Sequence, residues 1–402
     1  MHQATMSTTG PVKTPDLIDA LVPLASGSAM HAVRHQRDKV VAATQGSLDA
    51  VFDPALPGVS LAERLLVAQN VAQLSGGAAL SGAYSKRYQA CRASQPQPDL
   101  NARLDAMLKF ARTLALHPVE GDRAALLSLP AAGLSTPEVI TLAQLIALVA
   151  FQVRVIAGLQ ALVAMVELGA LEAPGAPSAA GQGAAVLPAQ ASASFIHPAQ
   201  LPLPTEALRI NGYTSETLGW KAWLPVQDIA QATPQQLAVL KASHPKASTS
   251  DYYLTLIHQP RMLEERSIVF NAIMYAPGGL SRAERELAST VVSRVNGCVY
   301  CASVHAQRFE QLSKRNDVIA QVFAEPQGAG TNPRERAIVQ AAIDLTRDPA
   351  GFGAAQLQAA QVAGLTALEM LDMIHAIAIF AWANRLMLNL GEAVAEAPHC
   401  VV

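Results

Sequence analysis

The sequence predicts an all-α protein of two tandem, mutually similar helical domains, on three observations: a helix-favouring composition, recurring helix-capping signatures and an internal repeat. Of 402 residues, 51% are hydrophobic but only 5% are aromatic, and Ala, Leu and Val supply most of the apolar mass. Ala and Leu suit helices better than sheets. A chain of this length is also too long for one ordinary core, which implies at least two domains.

The repeat sets the organisation. SLAERLLVAQNVAQLSGGAALSGAYSKRYQ from Ser60 aligns without a gap on SRAERELASTVVSRVNGCVYCASVHAQRFE from Ser281. Ala62, Glu63, Arg64, Gly76 and Arg87 fall on Ala283, Glu284, Arg285, Gly297 and Arg308. A second block from Ala132 aligns on one from Ala363, with Gly133, Leu134, Glu138, Arg154 and Leu159 on Gly364, Leu365, Glu369, Arg385 and Leu390. The second copy is longer between the blocks. Two blocks in the same order argue for duplication. Between the copies, LEAPGAPSAAGQGAAVLPAQASASFIH (Leu171–His197) has no periodic apolar pattern and reads as a flexible linker. The expected division is therefore residues 1–170, a linker at 171–197, and residues 198–402.

Each copy reads as helices. Ser281 with Glu284 three residues on forms a capping box, and Leu287, Val291, Val292 and Val295 then recur at helical spacing. Asn296-Gly297 is a stop signal, because Gly takes the left-handed conformation that a C-terminal cap needs. A new helix can begin at Cys298. Thr366 with Glu369 caps a long apolar helix running to Leu390, and Thr233-Pro234-Gln235-Gln236 is a further cap signature. The segment from Thr205 to Met274 is extra in the second copy and is expected to be mainly helical; no run of strands is evident.

Several function classes are excluded by composition. Net charge is −2 and no long Lys/Arg cluster occurs, so no basic field attracts nucleic acid or an anionic membrane. The N-terminus, MHQATMSTTGPVKTPDLIDA, lacks the basic-then-apolar pattern of a secretory signal. The apolar stretches Val139–Leu168 and Leu371–Leu390 are interrupted by Gln144, Gln152, Arg154 and Gln160, and by Asp372, His375, Asn384 and Arg385. A mid-bilayer charge costs ~2.5–3.5 kcal/mol, so buried core helices are expected instead. Four cysteines in so long a chain are no disulfide scaffold, and a reducing, cytoplasmic setting is expected. No dinucleotide, haem or flavin motif is evident, so no cofactor is expected.

One constellation carries chemistry. Glu286, eleven residues, Cys298, two residues, Cys301, three residues and His305 lie on the expected helical hairpin. A helix N-terminus carries about half a positive charge, which favours a thiolate there. His305 follows Cys301 by one turn on the same face. Glu286 lies ~14 Å back from the hairpin tip and His305 ~10 Å down the next helix, at ~1.5 Å per residue. The two are thus near the same level, and a Glu–His–Cys proton relay is geometrically reasonable. A thiolate attacks peroxide oxygen to give a sulfenic acid, and a nearby second thiol condenses with it to a disulfide. Structural zinc usually wants four Cys or His ligands, and no second pair accompanies this one.

With aromatic Tyr300 between the cysteines, this pattern resembles the active-site motif of the AhpD-like alkylhydroperoxidases, within the carboxymuconolactone decarboxylase superfamily. IFAWANRLMLNLGE (Ile379–Glu392) resembles a peroxidase-related branch of that family. The resemblance covers Thr205–Glu392 well and Val51–Leu168 as a divergent copy. It implies an all-helical, oligomeric oxidoreductase that reduces peroxides with electrons from a thiol protein or small thiol. It assigns peroxide attack to Cys301, resolution to Cys298, and the relay to Glu286 and His305. The best-studied members carry His where this chain has Tyr300. Spacing alone leaves Cys298, almost two turns from His305, as an alternative neighbour. Cys298 is expected at the hairpin mouth, open to an incoming reductant. The first copy has Leu65, Gly77, Leu80 and Tyr84 at the four positions, so it is expected to be a structural partner. Alternatives are a redox sensor or scaffold, a disulfide reductase, and the family's decarboxylase chemistry, which does not need two cysteines.

The remaining polar residues read as structural. His375, among Ile374, Ile377 and Ile379, is expected to be a core histidine oriented by Asp372. Arg154 and Arg385 are expected in buried ion pairs, with Glu138 and Glu369 among the candidate partners. His31 and His35 are expected to be a solvated pair without a third metal ligand. Cys91 and Cys400 are expected to be bystanders.

Overall fold

The computed structural model describes residues 16–22, 24–93, 101–171 and 206–395. Most of the expected linker, the extreme N-terminus and Cys400 lie outside the described residues. The first half runs α1 (Leu17–Leu21), α2 (Ala29–His35), α3 (Asp38–Val51), α4 (Leu61–Leu74), α5 (Ala78–Arg92), α6 (Ala102–Leu116), α7 (Arg123–Ala131) and α8 (Thr136–Glu167). The second half begins with β1 (Arg209–Ile210), β2 (Tyr213–Thr214), β3 (Leu218–Ala222), α9 (Pro234–Ser243) and α10 (Asp251–Leu256). It continues with α11 (Pro260–Met274), α12 (Arg282–Val295), α13 (Val299–Ser313), α14 (Asp317–Ala324), α15 (Pro333–Arg347), α16 (Ala354–Val362), α17 (Ala367–Asn389) and β4 (Gly391–Ala395). The fold is all-α, with two small sheets among the described residues.

The helix series α3 to α8 recurs as α11 to α17, and α14 is the insertion that lengthens the second copy. Equivalent helices pack alike: α4 and α12 form hairpins with α5 and α13, and each packs on the two helices α6 and α8, or α15 and α17. The copies then pack against each other through equivalent helices, α3 on α11 and α8 on α17. Buried apolar residues of both halves form one contiguous core. α8 and α17 are long and apolar enough to cross a membrane, yet 100% and 89% of their most apolar windows are buried inside this fold.

Polar contacts also repeat at equivalent positions of the two copies. Glu63 and Glu138, from the capping boxes of α4 and α8, are bridged by Arg103 at 2.5 and 2.7 Å. Glu284 and Glu369, from those of α12 and α17, are bridged by Arg334. Across the interface, Arg37 before α3 binds Asp372 of α17 through two 2.7 Å hydrogen bonds. At the equivalent place, Gln259 before α11 donates to Thr141 of α8 at 2.9 Å.

Arg154 and Arg385 depart from expectation. Among the described residues, neither binds a carboxylate. Arg154 donates to the backbone oxygens of Ala150 and Thr346, and Arg385 to those of Leu114, Ala115 and Ala381. Each therefore crosses to the other half and caps a helix C-terminus, where carbonyl dipoles offset positive charge. Glu138 and Glu369 are taken by the arginines one helix earlier.

The segment from 206 is less helical than expected. β1 and β2 form a hairpin around Asn211-Gly212, whose φ values of 52° and 80° are those of a tight left-handed turn. β3 pairs antiparallel with β4, tying this segment to the chain's other end. Helices α9 and α10 follow, with the expected capping box at Thr233.

Candidate active site

The α12–α13 hairpin positions the constellation. Gly297 turns the chain at φ 77°, and a Cβ there would sit 2.7 Å from Val119 of the other half. Cys298 is the N-cap of α13, and its sulfur accepts from the Cys301 N–H at 3.4 Å. The two Sγ atoms are 2.8 Å apart, and the thiols are not bonded as a disulfide. Asn384 of α17 hydrogen-bonds the Cys298 sulfur and is itself held by Asn296 and Ser293. Burial, then the neighbouring Cys301, pushes the Cys298 thiol well above its ordinary range.

His305 Nδ1 and Glu286 Oε2 are 2.5 Å apart, which joins the two side chains across the hairpin. The remaining imidazole nitrogen is the one that can exchange a proton with another group. Glu286 is 1% exposed, with Arg282 Nη2 at 3.6 Å from its other oxygen. The His305 ring meets Phe380 edge-on, with centroids 4.4 Å apart. The four candidate residues thus lie on one buried hairpin as two joined pairs, Cys298 with Cys301 and Glu286 with His305.

Cys298 and Cys301 are 2% and 4% exposed. The expected open mouth at Cys298 is therefore not present, and exposure does not distinguish the two sulfurs. The segment before α11 contributes to this burial. Tyr213 donates to the Arg294 carbonyl and lies within electrostatic reach of Cys298. Tyr252 lies within reach of Cys301 and Tyr300, and burial raises its phenol so that it stays neutral. Its hydroxyl is buried with no hydrogen-bond partner among the described residues. Sequence reasoning missed both tyrosines because no local spacing ties them to the cysteines.

In the first half the equivalent place is filled. Gly77 is the N-cap of α5, as Cys298 is of α13. A Cβ on Gly77 would meet Val153 at 2.7 Å. Leu65, Leu80 and Tyr84 are buried, and Tyr84 donates to Gln152 at 2.6 Å. None of these side chains forms a disulfide or exchanges a proton readily at neutral pH.

Other residues resolve as follows. His375 is buried, and desolvation lowers its pKa to about 3, so it is a neutral core histidine. Asp372 accepts instead from Arg37, Arg285 and the Leu280 N–H. His31 and His35 do have a third potential ligand, contrary to expectation: the donor atoms of Asp19, His31 and His35 lie within 4.8 Å of one another. Arg34 already binds Asp19 at 2.6 Å, placing a positive charge beside any metal there.

Residues 260–344 match the Carboxymuconolactone decarboxylase family. The matched stretch contains Glu286, Cys298, Cys301 and His305. A solved structure from Ralstonia eutropha JMP134, an uncharacterized peroxidase-related protein described as an alkylhydroperoxidase AhpD core, is 24% identical. Its alignment covers 42% of this chain and 97% of that chain, with a TM-score of 0.37. No curated protein matches the chain.

Proposed function

We propose that the protein is a thiol-dependent peroxidase that reduces hydrogen peroxide or organic hydroperoxides through Cys298 and Cys301. The observation that carries this reading is a thiol pair 2.8 Å apart at a helix start, beside a joined Glu286–His305 pair. Cys301 is the attacking thiol. Its sulfur takes one peroxide oxygen as the O–O bond breaks, leaving a sulfenic acid and an alkoxide. His305, oriented by Glu286, takes the thiol proton and returns one to the alkoxide. Tyr252 offers an O–H donor to the same oxygen.

Cys298 then displaces the sulfenic oxygen as water, forming the disulfide. Its raised pKa suits this later role, because it remains a protonated thiol while Cys301 reacts. An external dithiol returns two electrons and two protons, restoring both thiols. The cycle needs no metal or organic cofactor and fits a reducing compartment such as the cytoplasm. In this reading residues 1–170 form a degenerate helical domain and residues 198–402 the catalytic one. Homo-oligomerisation belongs to the same reading, and sedimentation measures it.

Cysteine variants test the roles. Cys301→Ser abolishes peroxide consumption. Cys298→Ser reacts once and leaves a sulfenic acid at Cys301 that dimedone traps. A dimedone adduct at Cys298 in Cys301→Ser, with Cys298→Ser inert, reverses the assignment. A redox-sensing role is the second reading, favoured by the burial of both sulfurs, which limits access of a partner thiol; it predicts a single oxidation without turnover.

A further inference from the structure

A cavity of about 410 Å³ lies between the tips of the two hairpins. Its walls come in equivalent pairs: Ser75 faces Asn296 from the other copy, Ala115 matches Thr346, and Arg154 matches Arg385. The two arginines are 4% and 1% exposed. Among the described residues, no carboxylate forms an ion pair with either. Each is offset only by carbonyls at a helix end, which carry roughly half a negative charge per helix. Two guanidiniums against two helix ends leave about one positive charge uncompensated. At the rim, Arg347 and Asp348 are of opposite sign, and the Asp348 carboxylate is turned onto the Gly351 N–H.

The cavity also holds unmet hydrogen-bonding groups. Arg154 Nε, Ser75 Oγ and Thr346 Oγ1 are buried and have no partner among the described residues. All three belong to residues lining this one cavity. Burial lowers Arg154 to about 10, and burial together with Arg154 lowers Arg385. Buried donors without partners are rare and costly. Water satisfies hydroxyls but does not neutralise a charge, whereas an oxyanion does both.

We propose that this cavity is a binding site for a small oxyanion, a carboxylate or a phosphate group, held by Arg154 and Arg385 with Ser75 and Thr346 as further donors. The ligand bridges the two halves, because each arginine comes from a different copy. Neither cysteine lines the cavity, and the proposal does not depend on the peroxidase reading.

Calorimetric titration and thermal unfolding of the full chain test it, with inorganic phosphate and acetate as probes and chloride at matched ionic strength as reference. Saturable one-to-one binding of phosphate or acetate is expected, with an unfolding midpoint that rises with probe concentration. The tighter probe identifies the source of the oxyanion. Thr346→Val, which removes an unpartnered hydroxyl without changing shape, weakens binding by roughly tenfold. Arg154→Lys weakens it further, since a lysine lacks the fork that grips an oxyanion. The proposal is overturned if neither probe stabilises the protein more than chloride, or if Thr346→Val binds both probes as the parent does.

Discussion

Asp372→Asn tests how the two halves are held together. The Asp372 carboxylate is 3% exposed and accepts two hydrogen bonds from Arg37 at 2.7 Å, one from Arg285 at 2.8 Å and one from the Leu280 N–H at 3.0 Å. Arg37 comes from the other half, and Arg285 is itself 1% exposed. Removing the charge leaves two guanidiniums facing each other with no counter-charge. Breaking a buried pair in this way costs about 3–5 kcal/mol. The equivalent contact, Gln259 to Thr141, is neutral, so Thr141→Val costs only about 0.5–1.5 kcal/mol. Urea unfolding followed by tryptophan fluorescence reads both, because one of the three tryptophans, Trp382, donates across the same interface to Gln144 at 2.9 Å. A double-mutant cycle with Arg37→Ala isolates the cross-half term. Equal and small losses for Asp372→Asn and Thr141→Val would refute the idea that the ion pair replaces a weaker symmetric contact.

Three further outcomes are expected. Glu286→Gln and His305→Gln slow the thiol–peroxide reaction by roughly 10²–10⁴-fold without abolishing it, measured by stopped-flow thiol loss; an unchanged rate removes both from the relay. His375 has its folded pKa lowered from 6.5 to about 3, so the unfolded chain binds the extra proton between those values. Its contribution to stability is complete above pH 6.5 and falls by up to ~1.4 kcal/mol per unit as pH drops toward 3. His375→Leu removes that slope in unfolding measured across pH 4–7, and an unaltered slope sinks the assignment. Gly158 on α8 lies so close to α17 that an added Cβ would sit 2.4 Å from Ile374. Gly158→Ala therefore destabilises by about 1–3 kcal/mol through overpacking, and a thermal scan showing no loss contradicts the close approach.

The legible parts of this molecule are those encoded within a few turns of chain. Ser281 with Glu284, and Thr366 with Glu369, announce helix starts because capping is local, and both boxes are formed. Asn296-Gly297 announces the turn that sets Cys298 at a helix start. The repeat made α8 and α17 recognisable as equivalent helices. The Asn211-Gly212 hairpin was not anticipated, because its strands are two residues each and carry no alternation to mark them. β3 was hidden because its partner, Gly391–Ala395, lies at the opposite end of the second half.

Long-range pairings were the unreadable part. Arg154 and Arg385 invited a carboxylate partner, yet each finds the carbonyl end of a helix in the other copy. Asp19 reaches His35 from a separate helix. Tyr213 and Tyr252 approach the cysteines from the segment before α11, so no spacing rule links them to Cys298 or Cys301. That same segment contributes to the burial of both sulfurs.

Thiol-based peroxide turnover is tested when fully reduced protein is mixed with an excess of hydrogen peroxide or an organic hydroperoxide, with and without a dithiol donor, while peroxide and free thiols are counted together. Without donor, one peroxide is consumed per chain as Cys298 and Cys301 become a disulfide; with donor, many peroxides are consumed per chain. Peroxide that persists while both thiols remain reduced, or a single oxidation that no dithiol donor turns into repeated consumption, would contradict it.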